Sequence, residues 1–195
     1  MPYSSDHKAR TRARIVEAAL KLFNSIGYEA TTIDRVMAEA GLTRGGFYSH
    51  FATKEALFAA AVAAAGRTDL AAKVVPMLKA EGRLDVSRLA RAYLDDRHRF
   101  DPGKGCALVA TAGDVIRAGA EAKTAYATVF EGLSKLLGRA GADEGERDGL
   151  VALLVGTVTV MRALPETEQG DAVRRSALAL IDRLFAREIG EAAAE

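Results

Sequence analysis

Apolar residues recur at helical spacing almost from the start of the chain. Ile15, Ala18, Ala19, Leu22, Phe23 and Ile26 make one stripe within residues 11–26, the repeat of a helix with a single buried face. Gly27 supplies a C-terminal stop. A second stripe, Ile33, Val36, Met37 and Ala40, follows Thr32, a residue type that caps helices, and ends at Gly41. Thr43 heads a third, short helix reaching about His50. Thr53 heads a fourth, predicted to run through EALFAAAVAAAG to about Val75, ahead of Pro76. Three short helices thus precede a long one.

The pattern then changes. AEGRLDVS reads as a connection, RLARAYLDDRHRF as a helix and DPGKG as a turn. Further helices are predicted over Cys106–Ala118 and Glu121–Arg139, and GRAGADEGERDG, with four glycines and mixed charge, is the most loop-like stretch. The last two predicted helices, Leu150–Leu164 and Asp171–Ile189, flank PETEQG. Leu150, Val151, Leu153, Leu154, Val155, Val158, Val160, Met161 and Leu164 leave the first of them almost no polar face. The second has a wide apolar face that includes Val173, Leu180, Ile181, Leu184 and Phe185. A helix that is apolar nearly all round needs cover on nearly all sides. In a chain of 195 residues a second copy is the expected cover, which predicts a homodimer through the two C-terminal helices.

Composition narrows the class. Apolar residues make up 49% of the chain and aromatics 6%, with four prolines and no long alternating run. That mixture favours packed helices over a sheet, and an all-α fold is expected. The apolar runs LFAAAVAAA and LVALLVGTVTVM fall short of the roughly 20 residues a membrane helix needs. MPYSSDHKARTRAR has no apolar region of the kind a secretory signal carries. The single cysteine, Cys106, excludes an internal disulfide and suits a reducing compartment, so a cytoplasmic protein without membrane partners is expected. Net charge is +1, yet residues 1–54 carry eight Lys and Arg against five acids, a basic head on a slightly acidic remainder.

The residues argue against an enzyme. No glycine-rich phosphate loop and no nucleophile elbow is present. Of three histidines, His7 and His50 lie in the basic head. His98 shares a predicted helix face with Asp95 and Asp101, too loose a set for a metal site. No catalytic residue, metal or cofactor is expected.

What the head does contain is helix, tight turn at Gly41, helix. Val36, Ala40, Leu42 and Phe47 are spaced to form the small core between the two helices, and a glycine suits the positive φ of the turn. In this arrangement the second helix enters the DNA major groove through its N-terminal residues, here Thr43, Arg44, Gly45 and Gly46. The adjacent glycines read as clearance for close approach, and Arg44 as a guanine reader. Tyr48 and His50 are placed for phosphate oxygens. Lys54 at one helix N-terminus, and Thr31 and Thr32 at another, offer anion contacts. On this reading Gly46→Leu spares the fold and abolishes DNA binding. The basic arm Lys8–Arg14 lies along the backbone or in a minor groove.

The same residues carry a family resemblance. TIDRVMAEAGLTRGGFYSHFATKEALF, behind TRARIVEAALKLFNSIGYEAT, resembles the DNA-binding domain of the tetracycline-repressor (TetR-like) family over about residues 10–60. The AG turn, the GFYSHF cluster and TKEAL carry it. The resemblance implies a homodimer on a palindromic operator of double-stranded DNA, most often a repressor, with a divergent C-terminal domain that binds a small-molecule effector. It implies a head over residues 1–52 and an effector-binding and dimerisation domain over 53–195. Met37 departs from the family, which usually has a small alanine there. GKGCALVATAGDV is similar to a segment of one branch of these regulators.

For the effector site the candidates are Tyr93, Phe100, Cys106, Tyr126, Phe130 and Met161, drawn from the body helices. Cys106, near a helix start and Lys104, favours the thiolate, so an electrophile- or redox-sensing repressor is an alternative. An effector-independent architectural DNA binder is a second alternative, distinguished by weak sequence preference and steep salt dependence.

Overall fold

The structure, a computed structural model, describes residues 5–65, 85–95, 106–164 and 168–191, and every regular element among them is helical. In chain order these are α1 (Ser5–Ala30), α2 (Ile33–Glu39), the 3-10 helix α3 (Arg44–Ser49), α4 (residues 54–65) and α5 (Val86–Tyr93). Then follow α6 (Ala107–Ala110), α7 (Ala112–Arg117), α8 (Ala120–Arg139), α9 (Glu144–Ala163) and α10 (Glu168–Glu191). The all-α expectation holds. The predicted continuation of α4 to Val75, the DPGKG turn, and Phe100, His98 and Asp101 lie outside the described residues.

The chain divides into two compact units, Met1–Thr68 with Pro102–Val129, and Asp69–Asp101 with Phe130–Glu195. In the first, one core joins Ile15, Ala19 and Phe23 of α1 to Val36 and Met37 of α2, Phe47 of α3, Phe51, and Leu57, Phe58 and Val62 of α4. Val115 of α7 and Ala122 of α8 belong to the same core. The rings of Phe23 and Phe58 meet edge to face at 4.9 Å, and Tyr28 lies 4.9 Å from Phe58.

The local signals act as the sequence suggests. Thr32 Oγ1 accepts from Arg35 N at 3.2 Å and Thr53 Oγ1 from Ala56 N at 3.0 Å, satisfying donors that a helix start leaves open. Gly41 has φ 67°, and the turn closes with Leu42 N donating to Met37 O at 2.8 Å. Arg14 Nη2 of α1 donates to Ala40 O at 2.6 Å just before that turn. Gly27, φ 78°, breaks α1 near its end rather than terminating it.

Three differences have physical causes. α1 begins at Ser5, so Lys8–Arg14 is helix and not an extended arm; Asp6 stands in its first turn and pairs with Arg10 at 3.1 Å. The predicted helix over Cys106–Ala118 is two short helices divided at Thr111, whose buried hydroxyl donates to Ala107 O at 2.7 Å, a back-bond that bends helices. The glycine-rich stretch from Gly138 is mostly helix. The turn occupies only residues 140–143, and Asp143 with Glu146 forms a capping box that starts α9 early.

In the second unit α10 packs on α9 and α5. Leu89, Leu150, Val151, Leu154, Val158, Met161, Ile181 and Phe185 are buried. Arg91 of α5 holds Asp182 of α10 with two bonds, Nη1 to Oδ1 at 3.0 Å and Nη2 to Oδ2 at 2.7 Å. Val160 of α9 and Leu180 and Leu184 of α10 stay 45%, 45% and 54% exposed.

Candidate nucleic-acid interface

Phe47, fully buried, anchors α3 by its middle, with its ring edge to face against Tyr48 and 6.0 Å from Phe51. Anchored there, the helix shows its first turn outward: Thr43, Arg44 and Gly45 are exposed, and Tyr48 is 62% exposed. Thr43 takes the extended N-cap conformation with no side-chain cap bond. Gly45 has open space where a Cβ would stand. The start of α3 is thus an exposed turn with one long cation and little else.

The two glycines are not alike. A Cβ on Gly46 would sit 3.6 Å from Met37 Cε, and Met37 is buried. The clearance at Gly46 therefore also serves the interior, because the long side chain of α2 ends beneath it. A Cβ at that distance makes ordinary van der Waals contact with the flexible end of Met37.

Arg44 is held by a neighbour that sequence reading missed. Its Nη1 donates to Asp34 Oδ2 of α2 at 2.8 Å, with both side chains more than half exposed. Such a pair is weak in water, so it orients Arg44 more than it restrains it, and the remaining guanidinium donors stay available. No period or spacing marks Asp34, since it lies ten residues from Arg44 across a turn.

Of the predicted anion contacts, Thr32 and Lys54 sit at helix starts as expected. Lys54 Nζ lies 4.0 Å over the ring of Tyr28, which fixes the cation by its attraction to the π face. Thr31 is a correction: it is fully buried, and its hydroxyl donates to Gly27 O at 2.7 Å, so its side chain serves the end of α1 and does not reach the surface. His50 caps the C-terminal end of α3 and is half-buried. Burial lowers its pKa first, and the charges of Lys8, Arg12 and His7 lower it further. Arg12 itself lies 4.5 Å over the ring of Phe51.

The effector candidates are divided between the two units. Cys106 and Tyr126 belong to the first unit, Tyr93, Phe130 and Met161 to the second, and Phe100 is outside the described residues. Tyr126 donates its hydroxyl to Leu108 O at 2.9 Å, and burial, then Cys106, raises its pKa. Cys106 is buried at the N-cap of α6. Among the described residues no group of acids, histidines and cysteine is arranged for a metal ion, and no helix is long and apolar enough to cross a membrane.

The pattern that describes bacterial regulatory proteins of the tetR family matches residues 15–61, which are α1 from its buried stripe through α4. Over these residues the chain is similar to the DNA-binding domain of this family. Among tetR-type relatives, the transcriptional repressor AcnR of Corynebacterium glutamicum is 33% identical over 98 residues, half of this chain and 48% of that protein. YfiR of Bacillus subtilis, an uncharacterised HTH-type regulator, is 40% identical over 55 residues, 28% of this chain and 27% of that one. The matched stretch thus spans less than half the length of these relatives. Likeness of fold extends further. SCO4454, a TetR-family regulator of Streptomyces coelicolor, superposes with a TM-score of 0.64 at 26% identity over 88% of this chain and 92% of that one. The reduced form of NemR from E. coli superposes with a TM-score of 0.69 at 17% identity over 89% and 97%.

Proposed function

We propose that this chain is a sequence-specific DNA-binding transcriptional regulator, acting as a homodimeric repressor that a small-molecule effector releases from a palindromic operator. The observation that carries the reading is the exposed start of α3. Thr43, Arg44 and Gly45 project from a helix fixed by Phe47 and by the Gly41 turn, and cations stand at Lys54 and Arg12 on either side in sequence. A side chain that reaches base edges needs this kind of rigid support, while flanking cations supply the phosphate contacts that set position. The two heads of a dimer would address half-sites about 34 Å, or a multiple of it, apart.

Support for the dimer is the exposed apolar trio Val160, Leu180 and Leu184 on α9 and α10. Selection of bound duplexes from a random pool tests the whole reading. Recovery of a palindrome supports it, and recovery of no common sequence, with binding that depends on salt alone, overturns it in favour of an architectural binder.

One observation favours electrophile sensing as a second reading: Cys106 stands at the head of α6, in the segment that leads directly to Asp114 and its bond to α1. A covalent adduct too large for that buried site would displace α6 and α7. Unchanged release by electrophiles in Cys106→Ser would end it.

A further inference from the structure

The cations of α1 and the histidine of α3 come together in the first unit. His7, Lys8 and Arg12 lie within two turns of α1, and all three act on His50. Lys8 and Arg12 are four residues apart, so they share a helix face. Arg12 is steadied over Phe51, the residue that follows His50, at 4.5 Å. The other charges of this stretch, Asp6 and Arg10, satisfy each other at 3.1 Å. His50 Nδ1 is buried with no hydrogen-bond partner among the described residues, so a ligand contact would fall to Nε2. The cluster therefore gathers three cationic or protonatable groups of α1 around one half-buried imidazole, on the flank of the helix proposed to read DNA.

We propose that Lys8, Arg12 and His50, with His7 beside them, form a single phosphate site that takes up a proton when it binds duplex DNA. The inference rests on the DNA-binding reading above and adds to it a pH-dependent contact. The chemistry follows from sign. In the free protein, burial and the surrounding positive charge hold the His50 pKa below its ordinary value and so favour the uncharged imidazole. A phosphate entering the cluster brings negative charge to the same place and favours the imidazolium. The proton comes from solvent, and the imidazolium carries Nε2–H, which donates to a phosphate oxygen. Binding and protonation are then linked, and affinity rises as pH falls through the pKa of the DNA-bound state until the free protein is protonated as well.

A random-sequence duplex of about 30 base pairs is a sufficient probe, because contacts to the backbone do not depend on sequence. With three histidines in the chain, proton NMR titration of their ring resonances, assigned through His7→Gln and His50→Gln, reads the wild-type protein directly. The expected result is a His50 pKa that rises by one unit or more when the duplex is added. Fluorescence anisotropy gives the matching readout: wild type binds more tightly at pH 6 than at pH 8, and His50→Gln loses most of that difference. Lys8→Ala and Arg12→Ala each lower the slope of log affinity against log salt by about 1. A duplex that binds while the His50 resonance titrates as before overturns the proton-linked site and leaves the DNA-binding reading standing, as does His50→Gln with the full pH difference. A duplex that binds at neither pH overturns both.

Discussion

Asp114 of α7 accepts the backbone N–H of Tyr28 through Oδ2 at 2.8 Å, and its Oδ1 takes Arg117 Nη2 at 2.9 Å. The bond exists because Gly27 breaks α1: a residue at φ 78° ends the regular ladder and frees the next N–H. Asp114 is mostly buried, with its side chain 15% exposed, so this acceptor is well shielded from water. Asp114→Ala should cost about 1–3 kcal/mol, because a shielded donor is left unmet. Asp114→Asn, which keeps a carbonyl oxygen, should cost less. Hydrogen exchange at the Tyr28 amide checks both: protection falls in the first variant and survives in the second.

The glycine pair separates two roles. Gly45→Leu adds a side chain in open space and should change stability by less than about 0.5 kcal/mol while abolishing binding to a selected operator. Gly46→Leu should destabilise by about 1–3 kcal/mol as the atoms beyond its Cβ crowd Met37, whose Cε lies 3.6 Å from where that Cβ would stand. The double variant Met37→Ala/Gly46→Leu should recover much of that loss. Urea midpoints of the four proteins close the cycle, and additive losses would show that the two positions do not share space.

Arg44→Ala should cost about 1–3 kcal/mol in operator affinity and relax the preference at one base position in each half-site. Asp34→Ala should leave the operator preferred but blur that same position, since the pair at 2.8 Å orients the guanidinium. Sequence selection with each variant reads both effects. An unchanged base profile in Arg44→Ala would remove Arg44 from base recognition.

The C-terminal face predicts an assembly state. Leu180→Glu with Leu184→Glu places carboxylates where 45% and 54% of each leucine is exposed. If a second copy covers this face, light scattering at micromolar concentration should show the dimer fall to monomer with circular dichroism unchanged. A wild-type monomer at that concentration would remove the premise.

Acid stability should carry the mark of Arg91. Its two hydrogen bonds lower the pKa of Asp182 below the ordinary 3.8. A carboxylate lowered in the folded state stabilises the fold above its unfolded pKa, and that contribution is lost as pH falls through the folded value. Wild type should therefore lose thermal stability on acidification below pH 3.8, from this pair among others, and Arg91→Met should lose less over the same range. The pair is largely exposed, so the difference is small and is best read at low salt.

Much of the head was legible because local rules dominate there. Thr32, Gly41 and Thr53 each act through their own backbone neighbourhood, and the apolar spacing of α1, α2 and Phe47 matches their burial except at Ile26, which is 41% exposed. What escaped depends on residues far apart in the chain. Asp34 meets Arg44, Met37 meets Gly46 and Asp114 meets Tyr28 only once the helices are packed. Thr31 was misjudged for the same reason: its type suits a helix start, but its side chain is drawn inward to Gly27. The capping box at Asp143 was a readable local signal, obscured by four nearby glycines that suggested a loop.

Tyr28 serves two neighbours at once, Asp114 through its amide and Lys54 through its ring. This sets the seam for any exchange of heads between chains of this fold. A graft that carries only residues 1–65 leaves Asp114 behind, exposing the freed amide of Tyr28 and loosening the ring that seats Lys54. A graft that takes residues 106–129 as well keeps both attachments, so the portable module here is discontinuous in the chain.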